Sequence, residues 1–297
     1  MTLPKVLKDY KKKRAGVLFL ALFLCLFLVV SPSSFADFSF AVIADTQGNN
    51  REGTNFKVLK RLMELIKIEK VAFILVCGDM ITGSRQSSKH SKELKKWKDF
   101  IDGYGIDAYC VASNHLIQSE TSDNIFCSLF EFPENGPDGL KELVYSFDYD
   151  NAHFVAIDTE EYNNFHDISN SQLEWLRDDL GKNKDKVIFV FGHDPAYPRI
   201  HIKDSLDKFP EKRDALWRLF KENNVKVYFC GHDHLYERSL FEGVYQLIGG
   251  GGGGHLHTRP EEGGFYHFIK VEVEDTGLFR VTVKDIDGNV KDYFEVK

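Results

Sequence analysis

Cysteine is scarce, with five in 297 residues. No two are spaced as CxxC, which excludes a structural zinc knuckle and a thioredoxin-type redox pair. Cys77, Cys110 and Cys230 lie in apolar, strand-like runs and read as buried thiols rather than disulfide partners. Positive charge is also in deficit: 38 Lys and Arg against 45 Asp and Glu leave a formal net charge of −7. The first 36 residues carry six of those bases and one acid, so the remainder stands at −12. A body this acidic repels polyanions and excludes nucleic acid as a partner by charge, unless metal ions supply local positive potential. Long apolar runs are limited to GVLFLALFLCLFLVV, residues 16–30, short of the ~20 residues that a spanning helix needs. Lys5, Lys8, Lys11, Lys12, Lys13 and Arg14 precede it, and small Ser34 and Ala36 follow. The pattern is that of a cleaved export signal over 1–36, leaving a periplasmic or secreted protein with no stable membrane span. Cys25 does not suggest a lipoprotein, because it follows Phe23 and Leu24 where small residues are required. No linker composition interrupts residues 37–297, which are expected to form a single domain.

Short runs rich in Val, Ile and Phe alternate with helical patterns, the signature of stacked strand-helix units. Strands are expected at 38–44, 71–77, 107–113, 186–191 and 225–230, with a hairpin over 143–158 turning at Asp150-Asn151. Helices are expected near 54–68, around Trp97, over 169–180 and near 211–223. Beyond Glu237 the helices stop, and four further strands follow, with turns at Asp275-Thr276-Gly277 and Asp287-Gly288-Asn289. The fold class is α/β, with two packed mixed β-sheets flanked by helices. Gly249 to Gly254 form an unbroken glycine run. Such a run is either a mobile loop or a backbone that passes very close to something.

Polar residues able to bind metal occur immediately after the apolar strands: Asp45 and Gln47, Asp79, Asn114 with His115, His193, and His232 with His234. In a layered α/β domain the loops at the carboxyl ends of neighbouring strands converge on one edge, so these residues can meet. Residues two apart on an extended strand project to one side, which pairs Asp45 with Gln47 and His232 with His234. Oxygen donors and imidazoles without thiolate suit Mn, Fe, Zn or Co.

The ordered set ADTQ (44–47), CGDM (77–80), SNH (113–115), FGHDP (191–195) and CGHDHLYER (230–238) resembles the calcineurin-like metallophosphoesterase superfamily. Its last motif and the following glycines are similar to the purple acid phosphatase branch. The resemblance implies a four-layer α/β/β/α sandwich and two divalent metal ions. One ion would take Asp45, Gln47, Asp79 and His234; the other would take Asp79, Asn114, His193 and His232. It also implies a hydroxide between the ions that attacks phosphorus, hydrolysing monoesters or diesters of a small phosphorylated substrate. His115 would contact a phosphate oxygen or protonate the leaving oxygen.

Three departures stand out. Gln47 replaces the commoner histidine, so a neutral oxygen either binds the metal, favouring Mn or Fe(II) there, or hydrogen-bonds a metal-bound water. MITG after Asp79 lacks the tyrosine ligand of purple enzymes, and Leu116 replaces an acid that would orient His115. Gln47 and Leu116 motivate an alternative reading, a catalytically weak metal-dependent envelope binding protein. His255, His257 and Arg259, with the glycine run, either line a substrate pocket or belong to a solvated loop. Glu237 and Arg238 read as an ion pair bracing the metal loop or, second to that, as substrate contacts. His153 reads as a packing histidine, while His90, His166, His201 and His267 have no motif support. The protein is expected to be a monomer or small homo-oligomer.

Overall fold

A computed structural model describes residues 37–48 and 53–297; the expected signal over 1–36 lies outside the described residues. In chain order the elements are β1 (Phe38–Ile43), α1 (Phe56–Glu69), β2 (Phe73–Val76), α2 (Ser87–Asp102), β3 (Asp107–Cys110), α3 (Ser122–Leu129), β4 (Tyr145–Tyr149), β5 (Ala152–Ala156), and the two-residue strands β6 (Glu160–Glu161) and β7 (Asn164–Phe165). There follow α4 (Asn170–Lys182), β8 (Val187–Phe191), α5 (Pro210–Glu222), β9 (Val225–Cys230), β10 (Tyr236–Phe241), β11 (Val244–Gly249), β12 (His267–Val273), β13 (Phe279–Asp285) and β14 (Val290–Val296).

Twelve of the strands form two six-stranded sheets, ordered β14-β13-β12-β1-β2-β3 and β10-β11-β9-β8-β5-β4. β1, β2 and β3 run parallel, as do β5, β8, β9 and β11, so several carboxyl ends of each sheet share an edge. The antiparallel hairpins β12-β13-β14 extend the first sheet.

Strand alternation explains the layering. Phe40 of β1 packs its ring 5.1 Å from Phe154 of β5 and 5.2 Å from Phe189 of β8, both edge-on, so aromatic side chains fill the space between the sheets. The outer faces are covered by helices whose apolar residues recur at helical spacing. α1 buries Val58, Leu59, Leu62, Met63 and Ile66, and α2 buries His90, Leu94, Trp97 and Ile101. On the second sheet, Leu173, Leu176 and Leu180 of α4 and Leu216 and Phe220 of α5 join Ile188, Val190 and Tyr228 in a separate core. Asn55 starts α1 by accepting the Val58 N–H at 3.3 Å, and Pro210 opens α5, where its missing N–H costs nothing. Cys77, Cys110 and Cys230 are free and buried.

Four elements went unread, among them the two-residue strands β6 and β7, too short to carry a pattern. α3 has only two buried residues, too few for a helical period to register. β10 begins inside the CGHDHLYER motif and alternates half-buried with exposed positions at the edge of its sheet.

Candidate metal centre

Asp45 and Gln47 follow β1, Asp79 follows β2, Asn114 and His115 follow β3, His193 follows β8, and His232 and His234 follow β9. The cluster therefore joins the carboxyl ends of both sheets. Asp45, Asp79 and His232 turn away from their strands in the left-handed region, at φ of 58°, 48° and 67°. A non-glycine residue there is strained by roughly 1–2 kcal/mol. Gly231 makes the crossing between sheets feasible, since a Cβ on it would collide with Asp45 Oδ2. The His232 N–H donates to both Asp45 oxygens, at 3.1 and 3.0 Å.

Each of the three histidines commits one ring nitrogen to a backbone carbonyl. His193 Nδ1 donates to Cys77 O at 2.9 Å, His234 Nδ1 to His255 O at 2.7 Å, and His232 Nε2 to Asp204 O at 2.8 Å. In the neutral ring such bonds fix the tautomer and leave the opposite nitrogen as the one a cation can take; at His234 that cation would displace the second proton that Asp45 favours. For His193 that nitrogen is Nε2, 3.0 Å from Asn114 Oδ1 and 3.6 Å from Asp79 Oδ1. For His234 it is Nε2, 3.5 Å from Asp45 Oδ1. Asp45, Asp79 and His193 together form a group able to hold an ion. Histidines oriented in this way, beside carboxylates that are almost fully buried, fit a pair of divalent cations.

Gln47 Nε2 donates to Asp79 Oδ2 at 2.8 Å and stands 3.1 Å from His234 Nε2, while Oε1 is buried with no hydrogen-bond partner. Leaving a buried carbonyl oxygen unpaired costs about 1–3 kcal/mol. Turning the amide end for end would place that oxygen beside the same two neighbours, where a cation could receive it.

Burial works to raise the Asp79 carboxyl, but the His193 and His115 imidazoles and the Ser113 hydrogen bond hold it below the usual range. Burial, then the neighbouring His193 and His201, depress His232 well below an ordinary histidine. Burial likewise disfavours charge on His234, yet the adjoining Asp45 raises it to about 9.

His115 Nδ1 donates to Thr82 O at 2.8 Å and its Nε2 lies 3.9 Å from Asp79 Oδ2. A backbone carbonyl thus orients the ring, and Leu116 is buried. A small cleft of about 150 Å³ is lined by Asp79, Asn114, His115, His201, His232, His234 and His257. His257 stacks on His234 with ring centroids 4.2 Å apart. His255 and Arg259 are not among the residues lining this cleft; Arg259 pairs with Glu261 and Glu262.

The glycine run is a close-packed backbone rather than a mobile loop. Gly249 to Gly254 are buried, and a Cβ on Gly252 would collide with Ala44 O. Gly252 N and Gly254 N donate to Ala44 O and Asp45 O, both at 2.8 Å, so these amides are not free for phosphate. Glu237 and Arg238 do not pair with each other: Glu237 meets Arg199 at 3.3 Å and Arg238 meets Asp292 at 3.1 Å. His153 is a packing histidine held between Asp148 and Asp179.

His201, which lacks motif support in the sequence, lines the cleft, and Asp233, which no motif role singles out, holds it there. Asp233 Oδ2 accepts Arg199 N at 2.6 Å and Ile200 N at 2.9 Å; Oδ1 accepts His201 N at 2.9 Å and His201 Nδ1 at 2.8 Å. Standing between His232 and His234 in the turn after β9, Asp233 binds the 199–201 segment and holds the loop that delivers His201 to the cleft. Behind His232, buried His166 donates from Nδ1 to Asp194 Oδ2 at 2.8 Å and lies 3.0 Å from Glu160 Oε1. His166, Asp194 and His232 form a second group able to hold an ion. Burial, with the neighbouring acid, pushes Glu160 well above the usual carboxyl range.

A calcineurin-like phosphoesterase family model matches residues 38–236. Purple acid phosphatase 13 of Arabidopsis thaliana is 28% identical over 193 residues, covering 55% of this chain and 32% of its own length. The chain thus spans about a third of that curated relative. Among solved structures, a purple acid phosphatase from yellow lupin (Lupinus luteus) seeds superposes with a TM-score of 0.69 at 16% identity, over 88% of this chain and 53% of the other. A dimetal phosphatase from Danio rerio gives 0.66 at 17% identity, over 88% of this chain and 99% of the other. These likenesses show the fold.

Proposed function

The chain belongs to the calcineurin-like phosphoesterase family, and from that premise we propose that it is a metal-dependent hydrolase of phosphoric monoesters or diesters, exported by a leader over 1–36. The observation that carries the reading is the tautomer pattern. Three histidines each tie one nitrogen to a carbonyl, and His193 and His234 direct the other toward Asn114, Asp79 and Asp45.

We assign Asp45, Gln47, Asp79 and His234 to one divalent ion and Asp79, Asn114, His193 and His232 to a second. When bound, such a pair supplies positive charge for the phosphoryl oxygens and lowers the pKa of a water. Asp79, common to both sets, would hold both ions. His115, fixed by Thr82 through Nδ1, faces the cleft with Nε2 and, in its imidazolium form, delivers the Nε2 proton to the leaving oxygen. His201 and His257 line the cleft beside it and are placed to contact phosphoryl oxygens. At the Gln47 position a neutral oxygen favours Mn or Fe(II) over Zn.

Protein purified without chelators and loaded with Mn is assayed on chromogenic mono- and diesters, with metal content read by plasma mass spectrometry. We expect turnover, about two ions per chain, and a loss of both ions in Asp79→Ala. Absence of turnover together with unchanged metal binding in Asp79→Ala would refute the reading. Metal binding without turnover, and with no rate for His115→Ala to lose, would favour a binding protein.

A further inference from the structure

The metal cleft, at about 150 Å³, is large enough for a phosphoryl group and little more. A second cleft of about 690 Å³ adjoins it and shares Asn114 as a wall. Its size falls within the range of sites for small organic ligands. The rest of any substrate has to leave the metal cleft, and Asn114 marks the passage into the larger one.

Three anchored segments form that cleft. Arg85 stands on a turn held by Ser84 N, which donates to His90 Nδ1 at 3.2 Å. Gln118 and Glu120 belong to the loop after β3, where Gln118 Nε2 donates to Asn114 O at 2.7 Å and Ser122 Oγ accepts Gln118 N at 3.1 Å. Tyr162 and Phe165 come from the β6-β7 hairpin, whose tip is set by Asn163 at φ 66°. Tyr162 is 36% exposed although it is a large ring.

Arg85 makes no hydrogen bond or ion pair with any described residue. In a chain of net charge −7, an unpaired guanidinium lining a cleft beside a metal centre is available for an anion. It is also planar and suited to carboxylate or phosphate. The reacting phosphoryl group would already be held in the neighbouring cleft, so the anion that Arg85 meets is a different one.

We propose that this cleft is the leaving-group subsite and that it takes an aromatic or heteroaromatic group carrying a second anionic charge. Nucleotides have this chemistry, and so do aryl phosphates with a further carboxylate or phosphate. Tyr162 and Phe165 offer ring faces, Arg85 binds the second anion, and Gln118 and Glu120 accept or share hydrogen bonds from polar edges. The inference rests on the hydrolase reading of the adjoining site.

Steady-state kinetics on Mn-loaded protein with glycerol 2-phosphate, phenyl phosphate and ADP separates ring from charge. Arg85→Gln should raise KM for ADP about tenfold, the loss expected for a charged hydrogen bond, with kcat within about twofold. The same variant should leave phenyl phosphate unaffected. Tyr162→Ala should raise KM for phenyl phosphate and ADP and spare glycerol 2-phosphate. Equal effects on all three esters, or none, would overturn the subsite. If the wild type hydrolyses none of them, the monoesterase reading falls, and the diester assay decides the rest of the hydrolase reading. Calorimetric titration with ADP then tests the cleft alone: binding weakened about tenfold by Arg85→Gln supports it, and absent or unaffected binding overturns it.

Discussion

Replacing Asp233 with asparagine should destabilise the protein and impair catalysis without removing metal. Four hydrogen bonds end on this fully buried carboxylate, three from backbone N–H groups and one from His201. Burial opposes its charge, but those donors prevail and hold its pKa at about 2, against an ordinary value of 3.8. That depression corresponds to about 2 kcal/mol of stability. The stabilisation is complete above the unfolded pKa and disappears as pH falls through about 2, so measurements at pH 7 see all of it. An amide keeps the shape but turns an NH2 toward donors, forfeiting at least one charged bond worth roughly 1.5–3 kcal/mol. The two routes agree, and for a domain of this size they convert to a fall of roughly 4–10 °C in Tm. The assays are thermal denaturation, plasma mass spectrometry and steady-state kinetics on the Mn-loaded variant. With His201 no longer tethered, KM should rise while metal content holds. An unchanged Tm with an unchanged kcat/KM would refute the role given to Asp233, and loss of metal would mean that it supports His232 and His234 instead.

Gln47→His should tighten Zn binding by about tenfold or more in competition with a chromogenic chelator, since imidazole replaces a neutral oxygen; no change would place Gln47 on a metal-bound water. Phe40→Ala removes a fully buried ring that packs against Phe73, Phe154 and Phe189, and chemical denaturation should show a loss of about 3–5 kcal/mol. Burial lowers the His267 pKa to about 4, below its unfolded value of 6.5. Its contribution is therefore intact above pH 6.5 and declines toward pH 4, by up to about 3 kcal/mol. His267→Leu should flatten that limb of the stability profile, and an identical slope in both proteins would exclude His267 as its source.

Much of this architecture could be read before any coordinates, because strand runs such as VKVYFC carry their own length and burial pattern. The convergence of Asp45, Asp79, Asn114, His193, His232 and His234 was legible for the same reason: each follows an apolar strand. Asp233 and His201 were not, because their link depends on how the segment after His193 folds back, and nothing in the local pattern of either residue records it. The glycine run admitted two opposite readings, and only its contact with Ala44 and Asp45 decides between them. β10 was hidden because its edge position leaves it without a continuous apolar face.

The left-handed turns at Asp45, Asp79 and His232 carry a warning for protein engineers. Glycine would relax each of these backbones by about 1 kcal/mol, but it would also strand the buried donors that Asp45 and Asp79 accept, at about 1–3 kcal/mol each, so heat tolerance alone says little about what these positions are for. A library screened only for stability would weigh turn strain against hydrogen bonds there and would never see the metal those side chains are placed to hold. Directed evolution of this scaffold needs a functional readout in every round.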